Sequence, residues 1–178
     1  MALNFGLTPQ LIKRVIPQAD LVAVKANYPL LVIELSLQGG RRQSVLNALA
    51  TISVECPSFI PQREYGSESY FREQYGDALG RYVDGFPEYA GRGLIQLSWW
   101  ANYKRYGELI GVDLEKIPDL ALNPQIACRI LAQFFKQNRL LDEIDPHAVR
   151  QVVNGGVNGL DDFLDAYHQF DKLMIRNG

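Results

Sequence analysis

The chain has 178 residues and a formal charge of -2, with 47% hydrophobic and 21% charged residues, which suits one well-packed domain and is short for two. That balance creates no positive field for nucleic acid and no steering toward an anionic polymer. Only His147, His168 and the distant Cys56 and Cys128 carry metal-ligating side chains besides carboxylates, so no metal site or cofactor is expected, and the cysteines read as free buried thiols.

Met1 to Asn27 lacks a basic stretch followed by a continuous apolar segment, which argues against a signal peptide. Synthesis in the cytoplasm is therefore expected, with any substrate outside the cell reached through a separate release system. Thr8 followed by Pro9 predicts a capped helix that Pro17 ends. Residues 29 to 38 predict a second helix, starting near Asn27 and stopped by Gly39-Gly40. Val32 and Ile33 leave a buried strand open as the alternative. This run is interrupted by Glu34 and is far too short to span a membrane, so no integral membrane segment is expected.

Ser44 to Glu55 gives a clear helical period, with Leu46, Leu49, Ala50 and Ser53 on one stripe. Pro57 disfavours helix at Cys56, placing Glu55 in the last turn, where the helix dipole opposes its negative charge. From Pro57 to Ala90 the period is lost, and an irregular or weakly stranded lobe is predicted. Helix resumes over 101 to 110 and ends at Gly111. Asn123-Pro124 and Asp145-Pro146 open two more helices, the second closed by Gly155-Gly156. A last helix is predicted from Asn158 to about Ile175, burying Leu160, Phe163, Leu164, Tyr167, Leu173 and Met174. The fold class read here is mainly α, one domain over 1 to 178, with an irregular or small β lobe beside a cleft. A monomer is expected.

Two glutamates, Glu55 and Glu64, precede an aromatic, amide-rich stretch from Tyr89 to Tyr103. Glycoside cleavage needs one carboxylic acid to protonate the leaving oxygen and a second carboxylate to activate water or attack the sugar. Both glutamates can also be read as surface groups, since Glu68, Glu73, Asp77, Asp84 and Glu88 crowd the same region. Arg92 between Gly91 and Gly93 can reach inward to a carboxylate. Gln96 and Ser98 alternate with Ile95 and Leu97, as if one face were buried and the other lined a groove. Tyr89, Trp99, Trp100 and Tyr103 offer stacking surface, with the alternative that several are core rings, a reading favoured for Trp100. Asn102 and Asn154 suit amide contacts to an N-acetyl group or a water, with helix capping as the competing role. Val153-Asn154-Gly155-Gly156 lacks the ending and the preceding strand of a phosphate loop.

Tyr89-Ala90-Gly91-Arg92-Gly93-Leu94-Ile95-Gln96-Leu97-Ser98, followed by Asn102-Tyr103, resembles the signature of the family 19 glycoside hydrolases, a lysozyme-like group of chitinases and phage-type endolysins. Pro118-Asp119-Leu120 and Val153-Asn154-Gly155-Gly156 match later landmarks in order, so the resemblance covers residues 27 to 175. It implies a lysozyme-like fold and an inverting cut at β-1,4 bonds beside N-acetylglucosamine, without metal or covalent intermediate. It implies Glu55 as general acid, Glu64 as general base and Ser98 as the residue that positions water. Gln96, Asn102 and Asn154 fall at substrate- or network-binding positions, and Arg92 at the arginine within the signature. Val54-Glu55-Cys56-Pro57-Ser58 departs from the glycines that relatives carry after the acid. The missing glycines and Pro57 alter that turn and raise the possibility of a catalytically impaired glycan-binding relative. A compact chain without a carbohydrate-binding module reads first as a peptidoglycan-cleaving endolysin, with chitin or chitooligosaccharide as the alternative polysaccharide partner.

Overall fold

The computed structural model describes residues 5–174. Helix α1 (Pro9–Val15) starts as expected, with the Thr8 hydroxyl accepting from Leu11 N–H at 3.2 Å. Helix α2 (Leu21–Leu37) begins well before Asn27, because Asp20 is the cap and accepts from Ala23 N–H at 2.8 Å. The helix runs through Pro29, which removes the strand alternative for this segment. Asn27 is buried inside α2, and its side-chain amide donates to the Phe59 carbonyl at 2.8 Å.

Helix α3 (Arg42–Glu55) is the centre of the molecule. Every residue from Ser44 to Ile52 is buried, so the expected single stripe understates its burial. A helix enclosed on all sides must satisfy its own polar groups. Asn47 donates to the Leu140 and Glu143 carbonyls at 3.1 and 2.9 Å, and Ser44 donates to the Leu141 carbonyl at 2.6 Å. Ser53 lies at the edge and donates back to the Ala50 carbonyl at 2.7 Å.

The irregular lobe contains one helix that the sequence period does not reveal, α4 (Glu68–Tyr75). Ser67 caps it, Glu68 pairs with Arg72 one turn on, and only Phe71 is buried. Four two-residue strands complete the lobe: β1 (Gln62–Arg63), β2 (Tyr82–Val83), β3 (Phe86–Pro87) and β4 (Arg92–Gly93). β1 pairs antiparallel with β4, setting Gln62 opposite Gly93. β2 and β3 form a hairpin whose Asp84-Gly85 turn has φ of 51° and 77°, the left-handed pair that suits a two-residue hairpin.

Helix α5 (Trp100–Ile110) ends on left-handed Gly111. A 3-10 turn (Pro118–Leu122) leads to α6 (Pro124–Gln137), which Asn123 caps as expected. Helix α7 (Pro146–Asn154) is capped by Asp145, and α8 (Leu160–Leu173) follows Gly159, whose φ is 67°. The last helix thus starts two residues after the predicted Asn158, and Ile175 lies outside the described residues. α3 packs against α7 and α8, while α2 packs against α6. One large apolar core joins these helices, and a small separate one, Phe71, Leu79 and Ala90, supports the lobe.

Cys56 and Cys128 are both buried and free, as expected. Burial pushes their thiols up to about 11 and about 12, so neither is a thiolate near neutral pH. Among the described residues no helix is long and apolar enough to cross a membrane. No group of three or more histidines, cysteines or carboxylates among them could hold a metal ion.

Candidate active site

Glu55 is the last residue of α3, so the central helix fixes its backbone. Its carboxylate meets the guanidinium of Arg150 on α7, with only 18% and 3% of the two side chains exposed. Arg150 also donates through Nε to the Asn158 carbonyl at 2.8 Å, tying the α7–α8 loop to the same carboxylate. The turn after Glu55 closes without glycine because Phe59 takes a φ of 63° while its ring is fully buried. That turn is fastened from α2: Asp20 N–H donates to the Ser58 carbonyl at 2.9 Å, and Asn27 holds the Phe59 carbonyl. The Cys56 thiol donates to the Ile60 carbonyl at 3.0 Å. Cys56 and Pro57 therefore belong to a turn that α2 and its cap hold at two carbonyls.

Glu64 follows β1, and its N–H donates to the Gly91 carbonyl at 2.7 Å. Its carboxylate is held at both oxygens: Oε2 accepts from Gly91 N–H at 3.1 Å and Oε1 from the Tyr75 hydroxyl at 3.3 Å. Burial, reinforced by the negative charge of Glu64, pushes the Tyr75 phenol up to about 12. Tyr75 thus stays a protonated donor at neutral pH. Gly91 leaves little space for a side chain. A Cβ there would sit 2.8 Å from Gln96 Oε1 and 3.1 Å from Glu64 Oε2. Gly91→Ala is expected to displace the Glu64 carboxylate and lower turnover about tenfold, a loss of about 1.4 kcal/mol in transition-state stabilisation. Initial rates compared with wild type at matched thermal stability check this.

Past β4 the chain folds back on itself, with Arg92 and Leu97 exchanging backbone hydrogen bonds at 3.2 and 2.9 Å. Gln96 takes a φ of 53° and donates its amide to the Gly93 and Gln62 carbonyls at 3.1 and 3.3 Å. Ser98 Oγ donates to the Gln96 carbonyl at 2.9 Å, which commits its proton and leaves its lone pairs to accept from water or sugar. Asn102 donates to the Ser98 carbonyl at 2.9 Å. The Trp99 ring meets the Tyr75 ring edge-on, centroids 5.8 Å apart.

These residues bound one cleft of about 500 Å³. Glu55, Glu64, Tyr75, Gln96, Ser98, Trp99, Asn102 and Asn154 all line it, together with Ile95, Leu97, Tyr106, Phe134 and Val153. A polar rim of acids and amides beside aromatic rings suits a sugar, whose hydroxyls bond to the first and whose C–H faces rest on the second.

Three expected binding residues are elsewhere. Arg92 is buried and does reach a carboxylate, but that carboxylate is Asp119, at 2.8 Å, and not a cleft glutamate. Burial opposes the charge on Asp119, yet hydrogen bonds from Arg92 and Arg63 hold its carboxyl below the usual range. Tyr103 is wholly buried, with its hydroxyl donating to the Ala90 carbonyl at 2.7 Å and accepting from Arg92 at 3.1 Å. Tyr89 packs on Tyr103 and donates to the Glu115 carbonyl at 3.0 Å. Together Arg92, Tyr103 and Tyr89 brace the wall from behind. Trp100 departs in the other direction: it is 46% exposed, not core.

Tyr75, Tyr106 and Arg150 are cleft and near-cleft residues that sequence reasoning missed. Arg150 carried one usable signal, being a charged residue one turn before Asn154 on a helix that buries Val149.

No family model matches the chain. A Haemophilus influenzae protein described as glycosyl hydrolase family 19 domain-containing is 29% identical over 119 residues, 67% of this chain and 54% of its own. An endochitinase of Arabidopsis thaliana is 29% identical over 123 residues, 66% of this chain and 41% of its own. The chain spans about half the length of the curated relatives it matches. Chitinase C from Streptomyces griseus superposes with a TM-score of 0.63 at 19% identity, covering 95% of this chain and 92% of that one. A family 19, class IV chitinase from Zea mays reaches a TM-score of 0.68 at 20% identity, covering 100% of this chain and 98% of that one. The mainly helical architecture with a small β lobe is therefore shared along nearly the whole chain.

Proposed function

We propose that this chain, which belongs to the lysozyme-like superfamily of the family 19 chitinases, is an inverting endo-glycoside hydrolase that cuts β-1,4 bonds of N-acetylglucosamine polymers, acting on chitin and chitooligosaccharides. The observation that carries this is that Glu55, at the end of α3, and Glu64, just after β1 and nine residues on, line one sugar-sized cleft. Glu55 protonates the glycosidic oxygen as the bond breaks. Glu64, held at both oxygens, takes a proton from the attacking water, which Ser98 and the neighbouring amides orient. Both carboxylates face the positive charge that develops on the sugar.

The expectation of a peptidoglycan endolysin gives way to chitin as the leading substrate. The similar proteins with a named activity are chitinases. The charged side chains lining the cleft are the two carboxylates, which suit a neutral polymer better than one bearing acidic lactyl and peptide groups.

The test is hydrolysis of N-acetylglucosamine hexamer beside purified peptidoglycan, with the new reducing end read by proton NMR before it mutarotates. Hexamer cleavage giving the α-anomer first is expected. Early β-anomer would remove the inverting mechanism, and cleavage of peptidoglycan alone would restore the endolysin. Binding without turnover would identify a glycan-binding relative.

A further inference from the structure

We propose a second saccharide-binding surface, outside the cleft and centred on Trp100, that holds N-acetylglucosamine chain away from the bond being cut. It rests on the reading that the polymer is chitin.

Trp100 opens α5 and leaves 46% of its surface in solvent, an unusual place for a residue that normally buries its ring. Its orientation is nevertheless fixed. The indole N–H donates to Glu115 Oε1 at 2.9 Å, and Lys104 Nζ lies 5.2 Å from the ring centroid. Glu115 is itself anchored, since its carbonyl accepts from the Tyr89 hydroxyl at 3.0 Å. The backbone carbonyl of the same tyrosine accepts from Trp99 N–H at 2.9 Å. Tyr89 therefore holds both tryptophans: Trp99, which lines the cleft, and the group that orients Trp100 outside it.

This arrangement requires strain. Trp99 takes a φ of 76°, a conformation that a bulky side chain rarely adopts. Strain of this kind persists where the surrounding structure enforces it, and it clusters at binding sites. Here it lets one ring enter the cleft while the next ring starts a helix beyond its edge.

Lys104 and Glu115 also line a depression of about 260 Å³, shared with Glu108 and Asp113. Its rim is further held by the Asp113–Lys116 ion pair at 2.9 Å. A pyranose needs an aromatic face for its C–H groups and both donors and acceptors for its hydroxyls and acetamide. Trp100 supplies the face, Lys104 a donor, and the three carboxylates acceptors. The depression meets Trp100 through Lys104 and Glu115, the two residues that contact its ring and its indole N–H.

The experiment measures adsorption to insoluble chitin by wild type, Trp100→Ala and Trp100→Phe, each checked for an unchanged melting temperature. Hydrolysis of soluble N-acetylglucosamine trimer is measured alongside. Trp100→Ala is expected to weaken adsorption about tenfold while trimer turnover stays within about twofold, and Trp100→Phe to keep most of the binding. Adsorption of Trp100→Ala equal to wild type overturns the proposal, as does wild type that fails to adsorb. Wild type that adsorbs without hydrolysing, with adsorption lost in Trp100→Ala, supports this surface while removing the hydrolase reading.

Discussion

Glu55→Gln is expected to lower hydrolysis of N-acetylglucosamine hexamer by about 10³-fold, within the range that general acid catalysis contributes. The amide keeps the size of the carboxyl group and can still accept from Arg150, so the end of α3 should stay in place. What is lost is the proton that the leaving oxygen needs. The effect should fall on kcat, with KM within about threefold, because the acid acts only as the bond breaks. Steady-state kinetics on the hexamer checks this, and a variant that retained about a tenth of wild-type kcat would exclude Glu55 as the acid.

Arg150→Met should damage both stability and rate. The guanidinium is buried and serves two acceptors, Glu55 and the Asn158 carbonyl. Removing it leaves a largely buried carboxylate without its cation and a carbonyl without its donor. Breaking one side of such a pair costs about 3–5 kcal/mol when both groups are deeply buried. With Glu55 18% exposed, about 2–4 kcal/mol is expected in urea unfolding. A fall of about 10²-fold in kcat should accompany it, from misplacement of the acid. A double-mutant cycle isolates the pair: Glu55→Gln with Arg150→Met should destabilise by less than the sum of the single changes. Simple additivity would mean that Arg150 acts through Asn158 and the loop alone. Arg150→Lys should recover only part, since an ammonium lacks the fork that reaches both acceptors.

What the sequence disclosed follows the range of the forces involved. Thr8-Pro9, Asn123-Pro124 and Asp145-Pro146 announced their helices because a cap and its first turn lie within four residues. Gln96, Ser98 and Asn102 reached the cleft together because the fold-back runs straight into the first turn of α5, where the Asn102 amide donates to the Ser98 carbonyl. Helix α4 stayed hidden because it buries only Phe71 and so leaves no apolar period. The start of α2 was missed because Pro29, which sits inside it, reads locally as a boundary. The partners of the charged groups were least legible. Arg92 finds Asp119 at 27 residues' distance, and Arg150 finds Glu55 at 95, choices that only tertiary packing makes.

Glu55 and Glu64 belong to different packing units. Glu55 ends a helix enclosed by the main core, whereas Glu64 hangs from a two-strand pairing and a tyrosine of the lobe, which has its own small core. Their spacing is thus a property of the joint between these units and not of either alone. The lobe, with the smaller core, is expected to open before the helices melt. Activity then becomes the most sensitive reporter of the joint, failing while helical signals remain intact.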